Sequence, residues 1–299
     1  MSTRTIALSA ACFAGVLALA GCGSGGGSAS QGDSDKIDVV ASTNVWGSVA
    51  KAVGGDKVSV SSLIDSPEKD PHDYESSAAD AAKIAKAKLT VRNGGGYDDF
   101  FGKAVKAGGD EKEDVDAFAL SGKHGDDVNE HVFYDLPTVK KVADEIAGKL
   151  GSIDGSAKET FTQNAKKFDG KIDGLITKAR GIGQGKQLSA LATESVADYL
   201  LEAAGVREAT PSGYAEAVEK DQDIPAAAIA ETNQLITGHK VSMLVDNTQT
   251  QTDTANQLRD NAKRAGLPVV AVTETFPKGT DDYLAWMGAE IEQLAKAGA

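Results

Sequence analysis

Residues 156–182 form the stretch SAKETFTQNAKKFDGKIDGLITKARGI, which has the pattern of one long helix. Its apolar residues recur at spacings of four, three, four and three, which places them on one stripe of a helix. They are Phe161, Ala165, Phe168, Ile172 and Leu175. The stretch predicts a single helix about 40 Å long, at about 1.5 Å per residue. A helix of this length in mid-chain predicts a rigid connection between two halves.

Short apolar runs alternate with helical patterns on both sides of this helix. Strands are predicted at 37–40, 58–63, 89–92, 115–118, 188–192, 241–245 and 269–272. Helices are predicted at 46–53, 77–86, 98–107, 137–150, 195–204, 225–236, 253–265 and 281–296. This alternation predicts the α/β class, with mostly parallel sheets flanked by helices. The expected organisation is an N-terminal lobe at 36–150, a linker helix at 151–184 and a C-terminal lobe at 185–299.

The N-terminus has the features of an export signal. Arg4 precedes an apolar run at 6–20, which is shorter than a bilayer span. The run ends in Leu-Ala-Gly-Cys at 19–22, which resembles the lipobox of bacterial lipoproteins. We therefore expect a signal peptide at 1–21, acyl chains on Cys22 and a flexible Gly/Ser-rich tether at 22–35. The folded part would then stand at the extracytoplasmic face of the cell membrane, held by its lipid.

The charge of the chain narrows the class of partner. It has 31 basic and 44 acidic residues, for a formal net charge of −13. A chain this acidic repels nucleic acid, so we expect no nucleic-acid partner.

No Ser-His-Asp or Cys-His arrangement of a nucleophilic enzyme is visible in the sequence. We expect a monomer without enzymatic activity.

Four residues at the ends of predicted strands are candidate metal ligands: His72, His131, Glu194 and Glu274. Neutral imidazoles and carboxylates are ligands that divalent transition metals accept. Binding residues of open α/β sheets gather beyond the carboxyl ends of the strands. Two candidates come from each predicted lobe, so we expect the ion in the cleft between the lobes.

Several motifs are similar to those of one family. The segment DPHDYE at 70–75 resembles the first ligand motif of the solute-binding lipoproteins of zinc and manganese ABC importers. The segment NGGGY at 93–97 resembles that family's turn after the third strand, and EHVFYD at 130–135 resembles its second ligand motif. Thr-Glu at 193–194 and at 273–274 falls at the third and fourth ligand positions. The resemblance extends from about residue 37 to the C-terminus.

This resemblance implies a carrier that binds one Mn²⁺ or Zn²⁺ per chain and delivers it to an ABC permease and its ATPase. It also implies the ligand set His72, His131, Glu194 and Glu274. Glu194 stands where the zinc branch has His and many manganese members have Glu, and Glu274 stands where Asp is usual. Two His with two carboxylates form a harder ligand set than three His with one, which favours Mn²⁺ slightly.

Three alternatives remain open at the level of sequence. Asp281 or Asp282 could replace Glu274 as the fourth ligand. A membrane-tethered metal-dependent hydrolase would use the same residue types, but it needs an open coordination position and a general base. A surface adhesin of the same fold would bind the metal only incidentally.

Overall fold

The structure, a computed structural model, describes residues 36–69, 71–72, 74–109, 112–125 and 128–299. The predicted signal peptide, Cys22 and the tether lie outside these residues, as do Asp70 and Asp73 of the first ligand motif. The residues from 36 onward that are described belong to one compact unit. None of the helices they form is both long enough and apolar enough to cross a membrane.

The N-terminal lobe is built on a four-stranded parallel sheet in the order β2-β1-β3-β4. Its strands are β1 (Ile37–Thr43), β2 (Val58–Ile64), β3 (Leu89–Arg92) and β4 (Glu113–Asp116). Its helices are α1 (Asn44–Gly54), α2 (Ala78–Lys86), α3 (Asp99–Ala107), α4 (Ala117–Ser121) and α5 (Leu136–Ile153). Val39 belongs to the apolar cluster that includes residues of α1 and α5, whereas its neighbour Val40 belongs to a separate cluster with Ile84 and Phe101 of α2 and α3. Helices therefore cover both faces of the sheet.

The C-terminal lobe repeats the plan with the strand order β6-β5-β7-β8, again all parallel. Its strands are β5 (Ser189–Ala192), β6 (Arg207–Glu208), β7 (Met243–Asn247) and β8 (Val269–Val272). The remaining helices are α6 (Lys158–Ile182), α7 (Asp198–Ala203), α8 (Ser212–Glu219), α9 (Ala226–Thr237), α10 (Asp253–Arg264) and α11 (Tyr283–Ala297). Leu244 belongs to an apolar cluster with residues of α9 and α10, and its neighbour Val245 belongs to the separate cluster that includes residues of α11. The predicted fold class is confirmed.

Helix α6 joins the two lobes and packs against both. It contacts α1 and α5 of the N-terminal lobe and α7 and α11 of the C-terminal lobe. Its buried stripe contains all five predicted positions and continues through Ala179 and Ile182. Because this stripe is buried along the whole helix, α6 belongs to one continuous apolar core with parts of both sheets.

Some predicted boundaries are wrong for identifiable reasons. The strand predicted at 115–118 ends at Asp116, because the Asp116 side chain accepts the backbone N–H of Ala119 and thereby caps α4. The helix predicted at 195–204 begins with a 3₁₀ turn, Ser195–Ala197, before α7. The strand predicted at 241–245 is β7, which begins and ends two residues later. Its last residue, Asn247, becomes important at the site.

Candidate metal centre

His72, His131 and Glu274 come together between the lobes. Each offers one ligand atom, and these atoms all lie within 4.8 Å of one another. Nε2 of His72 is 3.6 Å from Oε2 of Glu274, and Nε2 of His131 is 3.8 Å from the same oxygen. The two imidazoles belong to the N-terminal lobe and the carboxylate to the C-terminal lobe, so the group spans the cleft.

The topology of the two sheets explains why these three side chains lie close together. Glu274 follows β8 by two residues, and Glu194 follows β5 by two residues. All strands of the sheet are parallel, so their carboxyl ends lie at one edge. His72 lies in the loop after β2, and His131 immediately precedes a 3₁₀ turn that leads into α5. The same edge of each sheet therefore faces the cleft.

Glu274 is the buried carboxylate of the group, with only 2% of its surface exposed. Its Oε1 accepts a hydrogen bond of 2.8 Å from Nδ2 of Asn247, and its backbone N–H donates to Oε1 of Gln249 over 2.6 Å. Oε2 has no hydrogen-bond partner among the described residues, and it faces the two imidazoles. A buried, undonated carboxylate oxygen beside two ring nitrogens fits a cation at this point.

The ionisation of Glu274 reflects these neighbours. Burial alone raises the pKa of a carboxyl group, because it disfavours the charged form. Here His72, His131 and the amide of Asn247 outweigh burial and lower the pKa of Glu274 to about 2. Glu274 is therefore a carboxylate at every physiological pH, as a metal ligand must be.

The tautomer of His131 follows from Asn129. Nδ2 of Asn129 donates to the carbonyl of Ser195 over 2.6 Å, and a carbonyl can only accept. Oδ1 of Asn129 must then face His131, where it accepts the backbone N–H and lies 2.8 Å from Nδ1 of the ring. In the neutral form of the ring, which is the form that binds a metal, an acceptor at this position assigns the proton to Nδ1 and leaves the Nε2 lone pair towards the cleft.

His72 and His131 are also positioned by an aromatic ring. Tyr97, which is buried, presents its ring to His72 at 5.0 Å and to His131 at 5.6 Å, both at steep interplanar angles. The two imidazole centroids lie 6.0 Å apart. The side chain of His72 is 40% exposed and that of His131 only 6%. His72 therefore forms the solvent-facing side of the group.

Glu194, the remaining predicted ligand, is not part of the three-residue group. Its Oε2 accepts a hydrogen bond of 2.5 Å from Nδ2 of Asn247, the same nitrogen that donates to Glu274. Glu194 thus lies beside the group with one amide between the two carboxylates. Asp281 and Asp282 are exposed, and Asp282 caps α11 by accepting the N–H of Ala285.

Sequence reasoning missed the residues that hold the ligands. Asn129, Asn247 and Gln249 all contact a predicted ligand, and none was predicted. Asn247 could have been found if the strand had been extended to its true end, since it then stands at the carboxyl edge beside the two glutamates. Nothing in the residue type of Asn129 distinguishes it from a turn asparagine.

The group opens into a cavity of about 750 Å³. Among the described residues that line this cavity there are five acidic side chains and no Lys or Arg: Glu130, Glu194, Glu219, Asp221 and Asp223. Acidic walls of low dielectric raise the local concentration of cations. The cleft is therefore suited to a positively charged ligand.

The family model for ZnuA, the zinc-uptake complex component A periplasmic, matches residues 39–297. The chain belongs to this family. The family resemblance noted from the motifs is confirmed.

The names of similar proteins specify three different metals. The zinc-binding lipoprotein AdcA of Streptococcus pneumoniae is 25% identical over 284 residues, covering 87% of this chain and 55% of AdcA. The chain therefore spans about half the length of AdcA. The manganese ABC transporter substrate-binding lipoprotein PsaA of Streptococcus anginosus is 30% identical over 231 residues, or 71% of each chain. An iron ABC transporter substrate-binding lipoprotein, MtsA of Streptococcus pyogenes, is 28% identical over 253 residues, covering 74% of this chain and 79% of MtsA.

Solved structures share the fold. The periplasmic zinc binding protein TroA from Treponema pallidum matches with a TM-score of 0.74 at 18% identity, covering 88% of this chain and 99% of TroA. FpvC from Pseudomonas aeruginosa, in complex with Mn²⁺, matches with a TM-score of 0.70 at 18% identity, covering 88% and 98%. At these identities the likeness establishes the two-lobed architecture and nothing more specific.

Proposed function

We propose that this protein captures one divalent transition-metal ion, Mn²⁺ or Zn²⁺, in the cleft and delivers it to an ABC permease and its ATPase. The observation that carries the proposal is Oε2 of Glu274, a buried oxygen without a donor that faces Nε2 of His72 and of His131. Family membership and the descriptions of AdcA and PsaA support it.

The proposed ligands are His72, His131, Glu194 and Glu274. Two neutral imidazoles and two carboxylates would balance the charge of an M²⁺ ion, so the occupied cleft would bury no net charge. Glu194 lies beside the group on the amide of Asn247, so it would have to move towards the ion in order to coordinate it. Because three of the four ligands are half-buried or buried, the ion would lose most of its water on binding.

The proposal places the protein at the extracytoplasmic face of the cell membrane. In it, residues 1–21 are removed, Cys22 carries the lipid, and residues 22–35 tether two lobes joined by a linker helix. The descriptions of AdcA and PsaA as lipoproteins support the anchor. We propose that the protein acts as a monomer.

The proposed carrier performs no chemistry on its ligand. The relatives PsaA and MtsA are described as substrate-binding components of transporters, which supports a carrier over an enzyme. No feature of the described residues favours the hydrolase or the adhesin.

Native mass spectrometry of the chelator-stripped full chain tests the proposal, with Cys22→Ser to prevent acylation. We expect one Zn²⁺ or Mn²⁺ per chain, and we expect His72→Ala to lose stoichiometric binding without change in far-UV circular dichroism. His124→Ala is the matched control, because His124 is exposed and lies outside the ligand group. Absence of stoichiometric binding by the parent chain, or its retention by His72→Ala, would contradict the proposal.

A further inference from the structure

His131 belongs to a segment of the N-terminal lobe, residues 129–134, that is hydrogen-bonded to the C-terminal lobe on both sides of the ligand. On the N-terminal side the attachment is at Asn129. Its carbonyl accepts the hydroxyl of Tyr199 over 2.6 Å, in addition to the bond from its side chain to the carbonyl of Ser195. Both partners lie in the 3₁₀ turn and the helix α7 that follow β5. The backbone just before His131 is therefore held by the C-terminal lobe.

Two further bonds lie on the C-terminal side of the ligand. The hydroxyl of Tyr283 donates to the carbonyl of Phe133 over 2.7 Å, and the hydroxyl of Tyr134 donates to the carbonyl of Thr273 over 2.8 Å. Thr273 directly precedes another proposed ligand, Glu274. The second bond therefore joins the segment that carries one ligand to the backbone that carries the other.

The bonds of Tyr134 and Tyr283 lie in buried aromatic surroundings. Both tyrosines are fully buried, and their ring centroids lie 5.1 Å and 5.7 Å from that of Trp286. Burial raises the pKa of both phenols well above the ordinary value, so both hydroxyls remain protonated donors. Because a carbonyl that loses its donor in such surroundings carries a desolvation penalty, these bonds resist separation of the lobes at this point.

The other imidazole, that of His72, is held in a different way. Beside it in the loop, Lys69 donates to a carbonyl of β2 over 3.2 Å and the hydroxyl of Tyr74 donates to Asp80 over 3.0 Å, both within the N-terminal lobe. His72 contacts the C-terminal lobe through its own ring. His131, in contrast, is carried by backbone and side-chain attachments on both sides of it.

We propose that three hydroxyl groups, those of Tyr134, Tyr199 and Tyr283, act as positioning groups for the metal site. They hold His131 and Glu274 across the cleft as a preformed pair before the ion arrives. This inference rests on the proposed function. A pair whose separation is already fixed in the metal-free protein loses less conformational entropy on binding, so the three hydroxyls raise metal affinity without touching the ion.

The test uses tyrosine-to-phenylalanine variants, which remove only the hydroxyl. The chelator-stripped full chain, with Cys22→Ser, carries Tyr134→Phe, Tyr199→Phe, Tyr283→Phe, or Tyr134→Phe together with Tyr283→Phe. Tyr74→Phe is the matched control, because its hydroxyl bond stays within the N-terminal lobe. Tyr199 is only half-buried, so its variant keeps the test decisive if a buried variant fails to fold.

Three measurements are made on each variant. Guanidinium unfolding in excess chelator shows which variants are folded. Competition with a chelator gives the affinities for Zn²⁺ and Mn²⁺. Amide hydrogen exchange of the metal-free protein shows whether residues 129–134 and 273–276 loosen, which a general loss of stability would not confine to these two segments.

We expect each folded single variant to lose roughly fivefold in affinity for both ions, which corresponds to one net hydrogen bond, and to exchange faster in the two segments. The double variant should lose more than the product of the two single losses, because in each single variant the remaining bond still holds the segment. Tyr74→Phe should keep the affinity and the slow exchange of the parent chain.

Unchanged affinity in every folded variant of the three tyrosines overturns the inference while leaving metal binding intact. The same conclusion follows if Tyr74→Phe loses as much affinity as they do, or if affinity falls without faster exchange in the two segments. A parent chain that binds neither ion overturns the proposed function itself.

Discussion

Replacement of Asn129 by Leu should weaken metal binding although Asn129 is not a ligand. Its side chain makes three hydrogen bonds: Nδ2 to the carbonyl of Ser195, and Oδ1 with both the backbone N–H and the ring Nδ1 of His131. The last of these assigns the ring proton and directs Nε2 to the cleft. Loss of it frees His131 to adopt the other tautomer or to rotate.

The expected magnitudes follow from this count. A hydrogen bond contributes about 1 kcal/mol net, so Asn129→Leu should lower the free energy of unfolding by about 3 kcal/mol. Loss of a partner that orients a metal-binding imidazole costs roughly 10- to 100-fold in metal affinity. Asn129→Asp should separate the two effects. It keeps an acceptor for Nδ1 but replaces the donor to Ser195, so stability should fall while affinity stays near that of the parent chain.

Two measurements are needed for each variant. Guanidinium unfolding in excess chelator gives the stability without the contribution of bound metal. Titration against a competing chelator gives the affinity. Asn164→Leu is the matched control, because its Nδ2 donates a single hydrogen bond of 2.9 Å to the carbonyl of Val53, where α6 meets α1. It should cost about 1 kcal/mol of stability and leave metal affinity unchanged.

If Asn129→Leu binds metal as tightly as the parent chain, Asn129 does not orient His131 for metal binding. If Asn129→Asp loses as much affinity as Asn129→Leu, the acceptor at Nδ1 is irrelevant to metal binding.

Three further predictions concern single groups. The lowered pKa of Glu274, about 2, stabilises the metal-free fold above about pH 4.5 and is lost as pH falls towards 2; acid unfolding should cost the parent chain about 3 kcal/mol that Glu274→Gln does not lose. Burial raises the pKa of Glu290 to about 8, so ionisation of this group lowers the free energy of unfolding increasingly as pH rises from about 4.5 to 8. Glu290→Gln should therefore unfold at a higher denaturant concentration than the parent chain at pH 8, and at a similar concentration at pH 4. Cys22→Ser should move the chain from the membrane fraction to the soluble fraction on cell fractionation, whereas Cys12→Ser should not.

The secondary structure was predictable where the spacing of apolar residues and the residues that bound each run indicate the same element. Both ends of β3 and β8 match the sequence prediction, because each is a short apolar run bounded by polar or Pro residues. The stripe of α6 required only the helical repeat. The strand β6 was missed because it is two exposed residues, Arg207–Glu208, with no apolar pattern to mark it. The end of β4 was missed because the Asp116 side chain accepts the backbone N–H of Ala119, and this cap, rather than local hydrophobicity, decides where α4 begins.

The clustered ligand candidates were predictable from the sequence, but the residues that support them were not. His72, His131 and Glu274 stand after strands and inside recognisable motifs, and the structure brings these three together. Their supporting amides could not be predicted in the same way, since asparagine is common in turns and strand ends whatever it contacts. The position of Asn247 between two glutamates depends on β7 lying between β5 and β8, which is a property of strand order.

Asn129 and Asn247 restrain different ligands by the same chemistry, and the choice of an amide matters at both positions. Asn247 meets two carboxylates, so an Asp there would face like charges and would itself compete for the cation. Asn129 must donate to a carbonyl of the C-terminal lobe while accepting from His131 of the N-terminal lobe. An amide can do both, whereas an ionised carboxylate can only accept. Each amide adds orientation without adding charge to a cleft whose lining is already acidic. In the proposed site the number of carboxylates thus remains matched to one divalent ion, and the amides would determine how the proposed ligands are presented to it.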